Sequence, residues 1–191
     1  MSRTLVVSDS LVIAATPAAL YDRISRPALM GRWSPENLGA TLRSADAKPG
    51  GEAGGEAGGD EDGARRTEVG DVFDGRNKRG PVRWTTRCTV TVADPGRRFA
   101  FRVRAIGLRT PRLRGPIATW EYRFEPVPGG TRVTEIWRDD RRDWPDLVAN
   151  AFDRVATRGH TFAAFQARNI RTTLRNLKRV VEEEARPGDR G

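Results

Sequence analysis

The sequence predicts an α+β fold in which an antiparallel sheet packs against one long C-terminal helix. Segments between residues 68 and 141 alternate apolar and polar residues with the period of β-strands. Turn sequences such as Asp94-Pro95-Gly96 and Pro128-Gly129-Gly130 separate these segments, as in hairpins. Residues 158–184 carry one apolar stripe with helical period. The sheet face and the helix stripe each need a partner surface, and each can bury the other.

The composition favours a single domain and excludes several kinds of site. The chain has 191 residues, enough to bury a core without covalent links. Cys88 is the only cysteine and His160 the only histidine, so neither an internal disulfide nor a Cys/His metal cluster can form. We therefore expect a cytoplasmic protein without a metal or another cofactor. No segment is long and apolar enough to suggest a transmembrane helix.

The charge balance is strongly basic. The 34 Lys and Arg residues against 25 Asp and Glu give a formal net charge of +9. Such an excess makes an anionic partner, such as nucleic acid or anionic lipid, worth considering. The arginines are spread over strands and helix without a motif that combines basic and aromatic residues, so we expect no nucleic-acid binding.

The N-terminal third predicts two strands that flank two short helices. Residues 4–15 alternate and are rich in β-branched side chains, which predicts the first strand. Thr16 then supplies an N-cap and Pro17 a first helical residue, so a short helix should follow to residue 25. A second short helix or turn is predicted at 28–33, and another strand at 38–44.

Residues 48–66 differ from the rest of the chain in composition. They are rich in Gly, Glu and Ala and contain no large apolar residue, so they cannot bury enough surface to become ordered. We interpret them as a flexible insertion, and we expect deletion of residues 48–64 to leave the melting temperature unchanged. The domain should span residues 1–185, with a disordered tail at 186–191.

The central part of the chain predicts a succession of hairpins. The predicted strands lie at 68–76, 82–93, 97–106, 117–127 and 131–141, with a turn at 77–80 and a loop at 110–116. A short helix at about 146–157 should precede the main helix at 158–184.

The stripe of the main helix is interrupted by polar residues. It comprises Phe162, Gln166, Asn169, Ile170, Thr173, Leu177, Val180 and Val181. Buried polar side chains need hydrogen-bond partners. Gln166, Asn169 and Thr173 therefore either bond to nearby backbone or face a cavity and touch a ligand. The acidic residues 182–184 stand at the negative end of the helix dipole, where they are unfavourable.

The order of these motifs resembles a known family. The first strand ends in Ile-Ala-Ala-Thr-Pro at 13–17, and the short helices end in Arg-Trp-Ser-Pro at 32–35. Further motifs are Phe73-x-Gly75-x-Asn77-x-x-Gly80, Trp84-Thr-Thr-x-Cys88, Phe99-x-Phe101-x-Val103, Trp120-x-Tyr122-x-Phe124 and Gly-Gly-Thr-x-Val-Thr-Glu at 129–135. With the long C-terminal helix, they resemble the START-like (SRPBCC) superfamily, in particular its bacterial polyketide cyclase/dehydrase-like group.

The resemblance implies a helix-grip fold, in which a seven-stranded antiparallel sheet wraps around the long C-terminal helix and leaves a central cavity. Under that architecture the inward-facing residues become candidates for a ligand-binding cavity. These candidates are Trp33, Phe73, Asn77, Trp84, Thr86, Cys88, Phe101, Val103, Trp120, Tyr122, Glu135, Trp137, Phe162, Gln166, Asn169 and Thr173. An aromatic pocket with a few polar groups suits a small hydrophobic molecule. The alternative is that the aromatic residues simply fill a core.

Glu135 is the ionisable candidate of greatest interest. Its position between Val133 and Trp137 places it on the apolar face, where burial raises the pKa of a carboxyl. It could act as a general acid or base or bond a ligand hydroxyl, or it could form a structural pair with an arginine. Tyr122 and His160 are the other candidates for proton transfer. Cys88 has no visible activator and is interpreted as an inert core thiol.

Three functions follow from this interpretation. The first is binding of a small hydrophobic ligand, aromatic, polyketide or lipid-like, in the central cavity. The second is a polyketide cyclase or dehydratase activity that uses the same cavity. The third is binding of an anionic partner by an arginine-rich surface. The sequence does not distinguish oligomeric states.

Overall fold

Two short helices, seven strands and one long helix make up the described structure. The computed structural model describes residues 5–43, 65–141 and 162–185. The elements are β1 (Val6–Ile13), α1 (Pro17–Ile24), a 3₁₀-helix (Pro27–Arg32), β2 (Asn37–Leu42), β3 (Val72–Arg79), β4 (Val82–Asp94), β5 (Arg98–Gly107), β6 (Leu113–Val127), β7 (Gly130–Asp139) and α2 (Phe162–Glu184).

The strands form one antiparallel sheet in the order β1-β7-β6-β5-β4-β3-β2. The six strands from β2 to β7 follow one another as a meander, and β1 adds to its far edge beside β7. Helix α2 packs against β1 and β7 and against the 3₁₀-helix. The predicted α+β helix-grip architecture, with seven antiparallel strands and a long C-terminal helix, is confirmed.

The start of α1 follows the predicted capping pattern. Thr16 has extended backbone angles, and its hydroxyl accepts a hydrogen bond from the Ala19 N–H at 3.2 Å. Pro17 occupies the first turn, where its missing N–H costs nothing. The local sequence therefore determines where α1 begins.

The turn between β3 and β4 was predicted at the wrong place. Instead of a strand at 68–76 and a turn at 77–80, β3 begins at Val72 and the turn consists of Gly80 and Pro81 alone. Gly80 has a φ of 56°, a left-handed conformation that glycine adopts without strain. Asn77 stays in the ladder and pairs with Trp84, so the polar run that suggested a turn belongs to the strand.

Strand β6 begins earlier than predicted. Residues 110–116 were expected to form a loop, but β6 starts at Leu113 and includes Pro116. The β5–β6 register shifts between Val103 and Ala105, and this irregularity separates Arg114 from Ala118 on the partner strand. Proline lacks an N–H for the ladder and is tolerated at such a bulge.

The concave face of the sheet is closed differently in its two halves. Under α1, the Tyr21 ring meets Phe99 and Phe124 edge-on, with centroid distances of 6.3 and 6.1 Å. These contacts form a packed aromatic core. The other half, towards β2 to β4 and the start of α2, surrounds a cavity. The candidate functional site lies in this second half.

The buried stripe of α2 differs in part from the predicted one. Ile170, Leu174, Leu177 and Val181 are all at most 2% exposed. Leu174 was not in the predicted stripe, whereas Val180, which was, lies only half-buried. The buried stripe is therefore rotated around the helix axis towards Leu174, relative to the stripe predicted from the sequence. Leu174 adds an apolar contact to this stripe.

The acidic side chains at the C-terminus of α2 bind to basic side chains and to a backbone N–H, several of them from other elements. Glu184 binds Arg23 at 2.9 Å and Arg32 at 2.5 Å, and the Arg23 contact is the main cause of the lowered pKa of Glu184. Glu182 accepts a hydrogen bond from the Ala14 N–H at 3.0 Å and pairs with Lys178. These carboxylates, unfavourable for the helix alone, therefore tie it to the N-terminal elements.

Several predictions concern residues outside the described ranges. They are the insertion, except for its last two residues, the short helix at 146–157, His160 and the tail at 186–191.

Candidate functional site

A cavity of about 180 Å³ lies between the concave face of the sheet, the first turns of α2 and the 3₁₀-helix. Its wall draws on strands β3 to β7, so the meander brings together residues that are more than 60 positions apart in the chain. For comparison, a cavity of roughly 150 Å³ can hold one benzene ring. The space therefore suits a small molecule.

Fifteen of the sixteen predicted cavity residues line this space. They are Trp33, Phe73, Asn77, Trp84, Thr86, Cys88, Phe101, Val103, Trp120, Tyr122, Glu135, Trp137, Gln166, Asn169 and Thr173. The side chain of the sixteenth, Phe162, lies outside the described part of the structure. Alternate residues of a strand point to the same face of the sheet. Because the concave face is the one that borders the cavity, the strand residues predicted to point inward line it.

Sequence reasoning missed several lining residues, including charged ones. The additional residues are Met30, Ser34, Glu36, Asn37, Gly75, Arg79, Ile106, Leu113, Arg114, Gly115, Ile117, Ala118 and Arg141. Four of them follow from the same period. Gly75 lies between Phe73 and Asn77, and Ala118 lies two positions before Trp120. Arg79 is two positions beyond Asn77, and Arg141 is four beyond Trp137. The others lie in or beside segments where the strand boundaries were misplaced or where the chain is not regular.

Glu135 and Tyr122 form a hydrogen-bonded pair in the cavity wall. They face each other across β7 and β6, and the Tyr122 hydroxyl donates to Glu135 Oε1 at 2.8 Å. Glu135 is 2% exposed, and its Oε2 has no hydrogen-bond partner among the described residues. The predicted alternative, a pair with an arginine, is wrong, because the partner of Glu135 is a neutral phenol.

Burial dominates the protonation of this pair. Desolvation raises the pKa of Glu135 to about 8, although the hydrogen bond from Tyr122 lowers it in part. The pKa of Tyr122 is also raised, first by burial and then by the neighbouring Glu135. At neutral pH the carboxyl is therefore mostly protonated. Its free oxygen can donate a hydrogen bond when protonated and accept one, or take a proton, when ionised.

A polar network covers the β2–β4 side of the cavity. Asn77 Nδ2 donates to the Gly75 carbonyl at 3.1 Å and to Thr86 Oγ1 at 3.2 Å, and Asn37 Nδ2 donates to Asn77 Oδ1 at 3.3 Å. Cys88 lies beside Thr86, and burial raises the pKa of its thiol to about 12. Cys88 therefore stays a neutral thiol at physiological pH and is no nucleophile.

A salt bridge joins α2 to the sheet at one end of the cavity. Arg79 on β3 binds both carboxylate oxygens of Glu36, and Asn169 Nδ2 donates to Glu36 Oε2 at 3.3 Å. The Arg79 guanidinium also lies 3.8 Å from the centre of the Phe165 ring and 5.4 Å from that of Trp84. These contacts fix the first turns of α2 over the cavity.

The polar residues of the α2 stripe do not simply bond to nearby backbone. Asn169 reaches Glu36, which is 133 positions away. Gln166 is 5% exposed, and its Oε1 has no hydrogen-bond partner within the described ranges. Both residues line the cavity together with Thr173. The alternative in which they face a cavity therefore describes their location better.

A second buried acid lies beyond Glu135 on the same strand. Asp139 binds Arg141 through two contacts, Nε to Oδ1 at 2.9 Å and Nη2 to Oδ2 at 2.8 Å. Both side chains are 3% exposed, and Arg141 contributes to the cavity wall. The guanidinium neutralises the carboxylate in a place where an isolated charge would be costly.

The described residues contain no group of three or more Cys, His, Asp or Glu side chains that could hold a metal ion. Within the same ranges, no helix is both long and apolar enough to cross a bilayer.

Comparison with known proteins now identifies the family. The model of the family "Polyketide cyclase / dehydrase and lipid transport" matches residues 4–182. The chain belongs to this family. It thereby falls within the START-like superfamily that the sequence motifs indicated, and the family description joins enzymes and lipid carriers. No curated protein matches the sequence.

Several solved structures share the fold of this chain. A polyketide-cyclase-like protein of Corynebacterium glutamicum is 25% identical, with a TM-score of 0.57 and coverage of 100% of this chain and 99% of the other. A protein of Chromobacterium violaceum is 12% identical, with a TM-score of 0.57 and coverage of 94% and 99%. A protein of Nitrosomonas europaea is 11% identical, with a TM-score of 0.58 and coverage of 96% and 98%. At the last two identities the likeness concerns the fold alone.

Proposed function

We propose that the cavity binds a small, mostly apolar molecule that carries a polar group directed at Glu135. The observation that carries the proposal is Glu135 Oε2, a buried oxygen without a described partner in a wall that is rich in aromatic side chains. Buried polar atoms are rarely left without a partner, and a ligand group would satisfy this one. Aromatic or polyketide molecules with a hydroxyl or keto group have the required chemistry.

The lining supports a flat ligand over a flexible chain. Phe73 and Phe101 meet edge-on at a centroid distance of 5.2 Å, and Trp84, Trp120 and Trp137 add further ring surface. Ring faces pack well against other planar apolar groups. Gln166 Oε1 offers a second polar contact from the helix side.

Residence in the cytoplasm remains a prediction, and it rests on the presence of a single cysteine in the sequence.

The direct test compares two ligands of equal shape. Binding of 2-naphthol and of naphthalene to the purified protein would be measured by quenching of tryptophan fluorescence. We expect 2-naphthol to bind about tenfold more tightly, since one hydrogen bond to a buried group contributes about 1 kcal/mol or more. Native mass spectrometry of protein from its own host would show whether a natural ligand of the same class is retained.

Two variants locate the binding. Glu135→Gln should remove most of the preference for 2-naphthol, whereas Ala118→Leu, which fills part of the cavity, should weaken both ligands. Glu121→Gln is a matched control, because Glu121 is an equally buried acid that pairs with arginines and does not line the cavity. Equal affinities for the two ligands in the wild type, or equal effects of both Glu→Gln changes, would contradict the proposal.

The second candidate is acid–base catalysis on the same kind of ligand. The Tyr122–Glu135 hydrogen bond favours it, because one member can polarise a carbonyl while the other moves a proton. In a dehydration, ionised Glu135 would take a proton from the carbon beside a keto group. The electron pair would form the double bond, and Glu135 would return the proton to the departing β-hydroxyl, which leaves as water while the carboxylate is regenerated. Turnover of a β-hydroxy ketone by the wild type and not by Glu135→Gln would establish this activity, and binding without turnover would leave the carrier function.

A further inference from the structure

Two hairpin tips lie together at one end of the sheet. The β3–β4 turn and the β5–β6 loop are on the same side of the meander, and Thr85 pairs with Gly107 between them. A Cβ at Gly107 would collide with the Thr110 carbonyl oxygen, so glycine allows the β5–β6 loop to fold tightly over its own start. The hairpin patch is the exposed surface of these tips: Lys78, Val82, Arg83, Leu108, Arg109, Arg112, Leu113 and Arg114.

The hairpin patch exposes large apolar side chains. Leu108 is 76% exposed, Leu113 55% and Val82 53%. Single exposed apolar residues are common on protein surfaces, but three on two adjoining tips form a local feature. These three side chains lie at the hairpin tips, where they can contact a surface outside the protein.

The positive charges of the hairpin patch have no acidic partners in the described structure. Several arginines elsewhere on the sheet form ion pairs, for example Arg87 with Asp74 at 2.8 Å and Arg123 with Glu121 at 2.7 Å. None of the described ion pairs involves a basic residue of the patch. Between residues 75 and 116 the only acidic residue is Asp94, which lies in the turn at the opposite end of β4. The tips therefore carry a concentrated positive potential.

The hairpin patch adjoins the cavity. Leu113 and Arg114 are exposed and also line the cavity, and Trp84 and Ile106 continue the wall inward. A molecule that leaves the cavity between these side chains would meet the patch first. An apolar ligand would then pass directly into whatever surface the patch contacts.

We infer that the hairpin patch docks on a bilayer that contains anionic lipids, with Leu108, Leu113 and Val82 entering the interface. Arginine and lysine near such a surface are attracted by its negative potential, and exposed apolar side chains gain from leaving water. Nucleic acid would satisfy the charges and leave the leucines exposed, so the combination favours lipid. Docking itself depends only on the patch, whereas passage of a ligand between bilayer and cavity also rests on the proposed function.

Vesicle sedimentation tests the inference. The full chain would be mixed with vesicles of phosphatidylcholine alone and with vesicles that contain roughly 30% phosphatidylglycerol, which gives the surface a negative potential. We expect binding only to the second. Leu108→Ser and the double change Arg109→Ser/Arg112→Ser should each weaken it, the double change by about tenfold or more.

The controls lie outside the hairpin patch. Val69→Ser removes an apolar side chain that is 64% exposed, and Arg97→Ser removes an exposed arginine beside Asp94 at the opposite end of the sheet. Both should bind vesicles like the wild type. Circular dichroism would verify that each variant is folded, and Leu108→Ala replaces Leu108→Ser if the latter is not.

Each other result overturns the inference. Absence of vesicle binding would do so, as would binding that the controls reduce as strongly as the patch variants. If the arginine changes abolish vesicle binding and Leu108→Ser does not, the patch is attracted by charge and does not insert into the bilayer. If the protein binds duplex DNA more tightly than vesicles, the partner of the patch is nucleic acid. Glu135→Gln separates this inference from the proposed function, because it should bind vesicles normally even where it no longer prefers 2-naphthol.

Discussion

Glu135 and Asp139 are two buried acids on the same strand, and their surroundings give them different chemistry. Asp139 is held by the guanidinium of Arg141, so its charge is neutralised inside the protein. Among the described residues Glu135 binds only the Tyr122 hydroxyl, and burial raises the pKa of its carboxyl to about 8. The comparison shows that burial alone does not make an acid reactive. The partner decides whether the residue is occupied in an ion pair or keeps an oxygen available to a ligand.

The largest expected effect comes from breaking the Asp139–Arg141 pair. Arg141→Met removes the guanidinium that binds the buried Asp139 carboxylate, and breaking a buried ion pair from one side costs about 3–5 kcal/mol. The free energy of unfolding from urea denaturation measures it. The matched control is Arg132→Met, which removes the exposed partner of Glu125 and should change stability little.

A double change sharpens this test. Asp139→Leu combined with Arg141→Met removes both charges and should recover most of the lost stability, since apolar replacements of buried ion pairs are often neutral or stabilising. If Arg141→Met lowered the free energy of unfolding no more than Arg132→Met does, the buried Asp139–Arg141 pair would not be a main contributor to stability.

The next effect is a pH dependence of stability that Glu135 causes. Its pKa is raised from an ordinary value of 4.5 to about 8 in the folded protein. Between these values the folded state keeps a proton that the unfolded state releases, so the free energy of unfolding must fall as pH rises from about 4.5 through about 8. The total is on the order of a few kcal/mol, because one pKa unit corresponds to about 1.4 kcal/mol.

Glu135→Gln should abolish this part of the pH profile. The measurement is urea denaturation of the wild type and of the variant at a series of pH values, with Glu121→Gln as the control for a buried acid that is paired with arginines. Parallel profiles for the wild type and Glu135→Gln would show that the carboxyl ionises in the folded state as it does in water.

The smallest effect is expected for Tyr122→Phe. The change removes the donor to Glu135 Oε1 and leaves that oxygen buried without its partner, at a cost of about 1–3 kcal/mol. The hydrogen bond lowers the pKa of Glu135, so its loss should move the titration of Glu135 to higher pH. NMR of the side-chain carboxyl carbon would follow this shift, and an unchanged or lower pKa would contradict the assigned hydrogen bond.

Much of the fold and of the cavity wall could be predicted from the sequence. Alternation along 82–93 and 131–141 gave the inward faces of two strands, and Thr16-Pro17 marked the start of α1. The Tyr122–Glu135 pair could also have been derived. With Pro128 and Gly129 as a two-residue turn, Val127 pairs with Gly130, and counting back along the hairpin pairs Tyr122 with Glu135.

Other features could not be derived in this way. The β4–β5 and β5–β6 ladders shift register between Arg87 and Cys88, between Val90 and Val92, and between Val103 and Ala105. Such bulges have only weak sequence signals. For this reason residues 110–116 were predicted as a loop, although β6 starts at Leu113. The same error hid Leu113 and Arg114, the residues that connect the hairpin patch to the cavity.

The sequence by itself determined which side chains face inward, because the periods of strand and helix are local properties of the backbone. Only the tertiary structure decided which polar groups find partners. Asn169 binds Glu36 from 133 positions away, and Glu184 binds Arg23 from 161 positions away. Glu135 Oε2, by contrast, lies in the cavity wall without a hydrogen-bond partner in the part of the chain that the structure describes. Hydrogen bonds require atoms within about 3 Å, and for distant residues only the packing of the elements sets that distance.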